Sequence, residues 1–231
     1  TVVYSADQQL LGTYFEGENR VTVAQKDIPK NLREALIATE DVRFYQHSGI
    51  DPTFLVSGIW RNVIQGERSG GSTLTMQLAR NLYDAVGNER TSIRKIKEMI
   101  VAIYLERRYT KGEIMTAYLN TVPFGGTLYG VEAASKAYFD KRTRELSVHE
   151  AALLVGILKG TSQYSPIRHP ERARLRRNTV LEQMQKYGYL SAREADKAKR
   201  LPLGVGAMAA ADHNEGPAPY FREQLRPWLL D

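Results

Sequence analysis

The sequence predicts a mainly α-helical protein: a helical lobe with a small second subdomain and a short β-hairpin ahead of it. Three observations predict it. From Pro29 onward apolar residues recur at helical spacing, as in Leu32, Ala35, Leu36 and in Leu74, Leu78, Leu82. Three capping boxes mark helix starts: Thr110 with Glu113, Ser147 with Glu150, Ser191 with Glu194. The length, 231 residues, is long for one domain and short for two full ones, and 42% apolar residues supply a real core.

Residues 1–20 read as the hairpin or lead-in, with Val2-Val3-Tyr4-Ser5 and Leu10-Leu11-Gly12-Thr13-Tyr14-Phe15 as its strands. A helix from about Pro29 carries Glu40 and Asp41 at its end and is expected to stop near His47-Ser48-Gly49. Asp51 then caps a helix with Pro52 at its first position. That helix holds Phe54, Leu55, Val56, Ile59, Trp60, Val63 and Ile64, too broad an apolar face for one core stripe and suited to a membrane interface or, on the plainer reading, to full burial as a core helix. Gly66 to Gly71 and Tyr83 to Glu89 have the composition of mobile loops beside a ligand. Between them Ser72 is the expected N-cap of the next helix. A long helix covers Arg90 to Tyr109. His169-Pro170 opens a later one, which Gly188 closes. Leu201 to Pro219 reads as a linker, and the remainder as the start of a segment cut off. No strand is expected after residue 20.

The balance of 32 Lys+Arg against 26 Asp+Glu gives a net charge of +6. This favours an anionic ligand or membrane surface and does not call for nucleic acid. With no cysteine there is neither a disulfide framework nor a thiolate metal site. No stretch approaches the ~20 apolar residues of a membrane span.

Five clusters carry polar chemistry. In Glu40-Asp41-Val42-Arg43-Phe44-Tyr45-Gln46-His47 two carboxylates sit at a helix end, where the dipole opposes them and favours a base. Neutralisation by Arg43 and His47 is the plainer reading. In Gly70-Gly71-Ser72-Thr73, glycines run into a helix whose Thr73, Gln77 and Arg80 form a polar stripe beside an anion-attracting N-terminus. It lacks the lysine of a phosphate-binding P-loop. In Arg90 to Glu98, Arg94, Lys97, Glu98 and Val101 share one helical face, and Ile93, Ile96, Ile100 and Ile103 another. Glu98 there is either half of an ordinary pair with Arg94 or a carboxylate set inside an anion site. Ser92-x-x-Lys95 matches an acyl-serine motif, but no Lys-Thr-Gly or Ser-x-Asn follows, so the match is a coincidence of spacing. The fourth cluster, Lys111 to Gly125, offers Tyr118 and Asn120 to backbone or ligand alike. The fifth, Glu145 to Gly156, is a capped Ala/Leu helix, structural in character, in which His149 is a surface histidine rather than a metal ligand.

In this order and spacing, the five resemble the motifs of the peptidoglycan glycosyltransferase domain, glycosyltransferase family 51, of class A penicillin-binding proteins. The resemblance covers about Glu16 to Leu203. Met76 stands where many members have a second Gln, and Arg80 where many have Lys. It implies a lysozyme-like lobe over residues 21–203 with a mobile jaw at about 52–92. Residues 204–231 would lead toward a transpeptidase absent from this chain. The implied reaction polymerises lipid II into β-1,4-linked glycan with inversion and release of undecaprenyl pyrophosphate. By the same resemblance Glu40 is the base, and Glu98 orients the donor-site cations Arg80, Arg90, Arg94 and Lys97. Ser72, Thr73, Gln77 and Asn120 bind substrate, while Asp41, Phe44 and His47 support the Glu40 loop. No cofactor is obligatory, with room for a divalent cation (Mg or Mn) at Glu98. The partners implied are lipid II, the growing lipid-linked strand, the outer face of the cell membrane, moenomycin-type inhibitors and other cell-wall synthesis proteins. The membrane anchor would lie outside this chain.

Two other classes stand beside this one. A lysozyme-like hydrolase or lytic transglycosylase also centres on one Glu, but needs no cationic third cluster and protonates an alkoxide leaving group. A non-catalytic basic membrane-binding module gives no reason for Glu40, Asp41 and Glu98 to sit among cations.

Overall fold

Pro29 has no N–H to leave unpaired, and at φ −68° it opens α1 (Lys30–Glu40). Leu32, Ala35, Leu36, Ile37 and Ala38 of this helix are buried. The computed structural model describes residues 2–4, 10–13, 19–53, 71–82, 92–126 and 128–206. Contrary to expectation, α1 does not continue toward His47. It ends at Glu40, and Asp41 leaves helical geometry at φ −158°, ψ 78°. Residues 42–49 form successive turns. The physical reason is that the Asp41 carboxylate is engaged elsewhere, on the next helix.

That helix, α2 (Leu74–Leu82), buries Leu74, Thr75, Met76, Leu78 and Ala79. Its N-cap is Thr73, not Ser72: the Thr73 hydroxyl accepts the Met76 N–H at 3.2 Å, and its carbonyl accepts the Gln77 N–H at 3.0 Å. Asp51 caps as expected, taking the Thr53 N–H at 3.1 Å. The membrane-facing helix predicted beyond it, both mobile loops, most of the jaw and Arg90 lie outside the described residues, as does the chain beyond 206.

α3 (Ser92–Arg108) buries one carboxylate and turns three isoleucines outward. Glu98, Ala102 and Leu105 point inward, while Ile93, Ile96 and Ile100 are 67%, 52% and 62% exposed. α4 (Lys111–Thr121) starts at the predicted box, with Thr110 N–H donating to Glu113 at 2.8 Å and Glu113 N–H to the Thr110 hydroxyl at 3.3 Å. α5 (Val131–Phe139) follows. α6 (Val148–Ile157) is buried along its whole length from Glu150, as an apolar helix at the centre of a lobe must be. α1 and α7 (Pro170–Lys186) pack on it. Gly188, at φ +78°, ends the segment after α7, and α8 (Ala192–Arg200) is capped by Ser191 and Glu194. The buried Arg177 of α7 donates to the carbonyls of Lys199, Leu201 and Pro202, fixing the chain as it leaves α8. The contact continues to Gly206, whose N–H donates to the Tyr138 carbonyl at 2.9 Å.

The hairpin forms as expected: β1 (Val2–Tyr4) pairs antiparallel with β2 (Leu10–Thr13). The expectation of no later strands is corrected. β3 (Asn19–Arg20) runs parallel to β5 (Leu128–Tyr129), which pairs antiparallel with β4 (Pro123–Gly125). Strands of two or three residues show no alternation for a sequence pattern to register. Among the described residues no helix is long and apolar enough to cross a membrane.

Candidate active site

Glu40 is half-buried at the C-terminal end of α1. Its Oε2 accepts a hydrogen bond from Gln77 Nε2 at 3.2 Å, and Gln77 Oε1 accepts one from the Tyr118 hydroxyl at 3.0 Å. α1, α2 and α4 thus meet at one carboxylate. Burial, with the charge of Glu40 adding to it, pushes the Tyr118 phenol well above its ordinary range, so it remains a donor.

Asp41 is buried and accepts from the Leu74 N–H at 2.9 Å and from His47 Nε2 at 2.9 and 3.1 Å. Gly49 N–H donates to His47 Nδ1 at 3.2 Å. An accepting Nδ1 puts the neutral ring's proton on Nε2, where it donates to Asp41. Phe44 is fully buried, with Tyr45 edge-on at 5.2 Å. Asp41, Phe44 and His47 therefore brace the turn that follows Glu40. Thr73 is 1% exposed, and its hydroxyl donates to the Gly49 carbonyl at 2.6 Å while capping α2. The Thr73 hydroxyl, for which a substrate contact is expected, is engaged internally in both of these bonds.

Glu98 is the second buried carboxylate, at 1% exposure. Arg94 Nε lies 3.3 Å from its Oε1, Arg80 Nη1 3.9 Å from the same oxygen, and Lys95 Nζ 3.2 Å from Oε2. All three cations keep partial solvent access. Lys95, whose Ser-x-x-Lys spacing carries no acyl-serine chemistry, also donates to the Ser72 hydroxyl. Burial lowers the Lys95 ammonium below the usual lysine range; Glu98 opposes this, and Arg80 and Arg94 add to it. The signal that could have found Lys95 is its i, i+3 spacing to Glu98. Lys97 is exposed on the same helix.

Asn120, near the end of α4, bonds the backbone of Val23. Its side-chain oxygen accepts the Val23 N–H at 2.9 Å, and its amide nitrogen donates to the Val23 carbonyl at 3.0 Å. Both amide functions of Asn120, for which a substrate contact is expected, hold backbone beside the three-stranded sheet.

The residues around Glu98 do not suit a divalent cation. Three cationic nitrogens within 3.9 Å of its carboxylate would repel one. Among the described residues no group of three His, Cys, Asp or Glu side chains comes together. The set is suited instead to a diffuse anion such as a pyrophosphate.

A family model described as Transglycosylase matches residues 7–185. Penicillin-binding protein 1F of Bacillus subtilis is 46% identical over 189 residues, 81% of this chain and 26% of its own length. Penicillin-binding protein 1A of Aquifex aeolicus is 44% identical over 230 residues, 99% of this chain and 31% of its own. The crystal structure of penicillin-binding protein 1A from Haemophilus influenzae superposes with a TM-score of 0.59 at 25% identity, covering 99% of this chain and 23% of that one. The chain thus spans under a third of the length of these relatives.

Proposed function

The chain belongs to the transglycosylase family, and from that premise we propose that it is a peptidoglycan glycosyltransferase polymerising lipid II into β-1,4-linked glycan. The observation that carries the reading is the bridge made by α2. Gln77 holds the Glu40 carboxylate, and Arg80, one turn further along, reaches the cation cluster at Glu98. One helical turn therefore joins a carboxylate base to an anion-binding cluster, the two groups this transfer requires.

In the reaction, Glu40 takes the proton of the acceptor 4-hydroxyl as that oxygen bonds to the anomeric carbon of the donor. The bond from that carbon to the pyrophosphate oxygen breaks on the opposite face, so configuration inverts. Undecaprenyl pyrophosphate leaves as an anion that needs cations rather than a proton. Arg80, Arg94 and Lys95 supply that charge, with Arg90 and Lys97 as further donors and Ser72 reached through Lys95. Glu98 keeps these side chains gathered. A positioned base contributes on the order of 10²–10⁴-fold. The exposed Ile93, Ile96 and Ile100 beside Arg94 and Lys97 support work at an anionic membrane surface, which for this substrate is the outer face of the cell membrane.

The test is incubation with labelled lipid II in detergent and separation of products by length. The chain makes glycan strands. Glu40→Gln abolishes them without unfolding, because an amide oxygen still accepts from Gln77. Near-wild-type turnover by that variant would move the base to Asp41 or Glu98. Soluble fragments released from glycan without lipid substrate would instead indicate a lysozyme-like hydrolase.

A further inference from the structure

We propose that Lys111, anchored on Glu106, is a positioning residue that clamps the turn after Glu40 onto α2 and so sets the base. The clamp rests on the glycosyltransferase reading only for what the positioned base then does. Lys111 Nζ donates to the His47 carbonyl at 2.6 Å and to Glu106 Oε1 at 2.7 Å. The same Glu106 oxygen accepts the Thr75 hydroxyl proton at 2.6 Å. Glu106 and Lys111 have 5% and 20% exposed side chains, and the ammonium sits 4.5 Å from the centre of the Phe44 ring.

The turn needs such a clamp. Within residues 41–49 its backbone closes on itself only through Phe44 N–H to the Asp41 carbonyl and Gln46 N–H to the Arg43 carbonyl. It meets α2 through two bonds, Asp41 with Leu74 and Thr73 with the Gly49 carbonyl. The His47 ring must face Asp41, and the backbone at His47 sets that direction. Lys111 grips this backbone at its carbonyl. An ammonium suits the task because its three donors on one flexible stem can reach a carbonyl, a carboxylate and a ring face together. Through Thr75 the pair reaches α2 two residues before Gln77, so both partners of the Glu40 arrangement answer to one ion pair.

The experiment compares the chain with Lys111→Met/Glu106→Gln, which removes the clamp without stranding a buried charge. Melting, amide exchange at 42–49 and Leu74, and kcat and KM for lipid II are measured. The expected double variant melts close to the parent, exchanges about tenfold faster at Gly49 and Leu74, and loses about tenfold in kcat with little change in KM. A folded double variant with parental exchange and kcat overturns the proposal. If the double variant does not fold, Lys111→Gln, which keeps a single donor group, is judged by the same two readouts. If the parent chain fails to polymerise, the glycosyltransferase reading falls, and exchange alone decides the clamp.

Discussion

Asp41 accepts the Leu74 N–H at 2.9 Å, so the residue next to the base caps the first turn of the helix that carries Gln77 and Arg80. The C-terminus of α1 and the N-terminus of α2 are thereby held as one piece, with the carboxylate at the positive end of the α2 dipole.

Asp41→Ala removes that cap and leaves His47 Nε2 buried without its acceptor. The expected cost is about 2–4 kcal/mol. Asp41→Asn, which keeps one accepting oxygen, costs less. Urea unfolding checks both. A loss below about 0.5 kcal/mol for the alanine variant, the level of ordinary surface changes, would show that the cap does not hold the two helices.

Gly49→Ala and Gly188→Ala separate backbone strain from crowding. Both glycines have positive φ, +93° and +78°. A Cβ at Gly49 would lie 2.8 Å from the backbone carbon and oxygen of Ala102, whereas at Gly188 it meets nothing within 4 Å. Gly188→Ala should cost about 1–2 kcal/mol. Gly49→Ala should cost about 1–3 kcal/mol more, with a loss of turnover as the turn is pushed off α3. Equal melting temperatures for the two variants would contradict this.

How much of this could be read beforehand depends on what kind of pattern each feature leaves. The boxes at Thr110 and Ser191, and the Pro170 and Gly188 boundaries, are local chemistry, and the structure keeps them. The α3 stripe of isoleucines was equally visible, but periodicity reports that two faces differ, not which one turns inward. Here Glu98 turns inward with Ala102 and Leu105, while Ile93, Ile96 and Ile100 turn outward. Ser72 and Thr73 are both good caps, and only the Gly49 carbonyl, 24 residues away in sequence, selects Thr73. Lys111, Glu106 and Thr75 left no signal, because their meeting depends on the packing of α2, α3 and α4.

Arg80→Ala and Lys97→Ala should each weaken binding of a phosphoglycolipid inhibitor of the moenomycin type. The loss expected per charged hydrogen bond is about 1.5–3 kcal/mol, read as a rise in Kd by titration. Unchanged affinity in either variant removes that residue from the anion site. Glu98→Gln should impair turnover, because its three cations then repel one another with nothing to gather them.

Tyr138 gives a dependence on pH. Burial raises its phenol from 10.0 to about 12, and its hydroxyl donates to the Phe124 carbonyl at 2.9 Å. The folded chain therefore holds this proton where the unfolded chain has released it. Its contribution is complete below pH 10 and is lost as pH rises toward about 12. Tyr138→Phe should be less stable than the parent by about 1 kcal/mol at neutral pH, and should lose less stability than the parent above pH 10. Parallel stability curves for the two from pH 9 to 12 would show that this phenol does not titrate with unfolding.

Asn120 and Val23 are 97 residues apart in sequence, and the amide that joins them closes the lobe beside β3 and β5. Such a pairing has a kinetic meaning. Ribosomes add roughly 5–20 residues per second, so the Val23 backbone waits on the order of 5–20 s after its synthesis before its partner exists. During that interval β3 has no neighbour in its sheet, and its N–H and carbonyl groups are open to pairing with other chains. The seam between residues 19–23 and the end of α4 is therefore a step of folding exposed to misassembly.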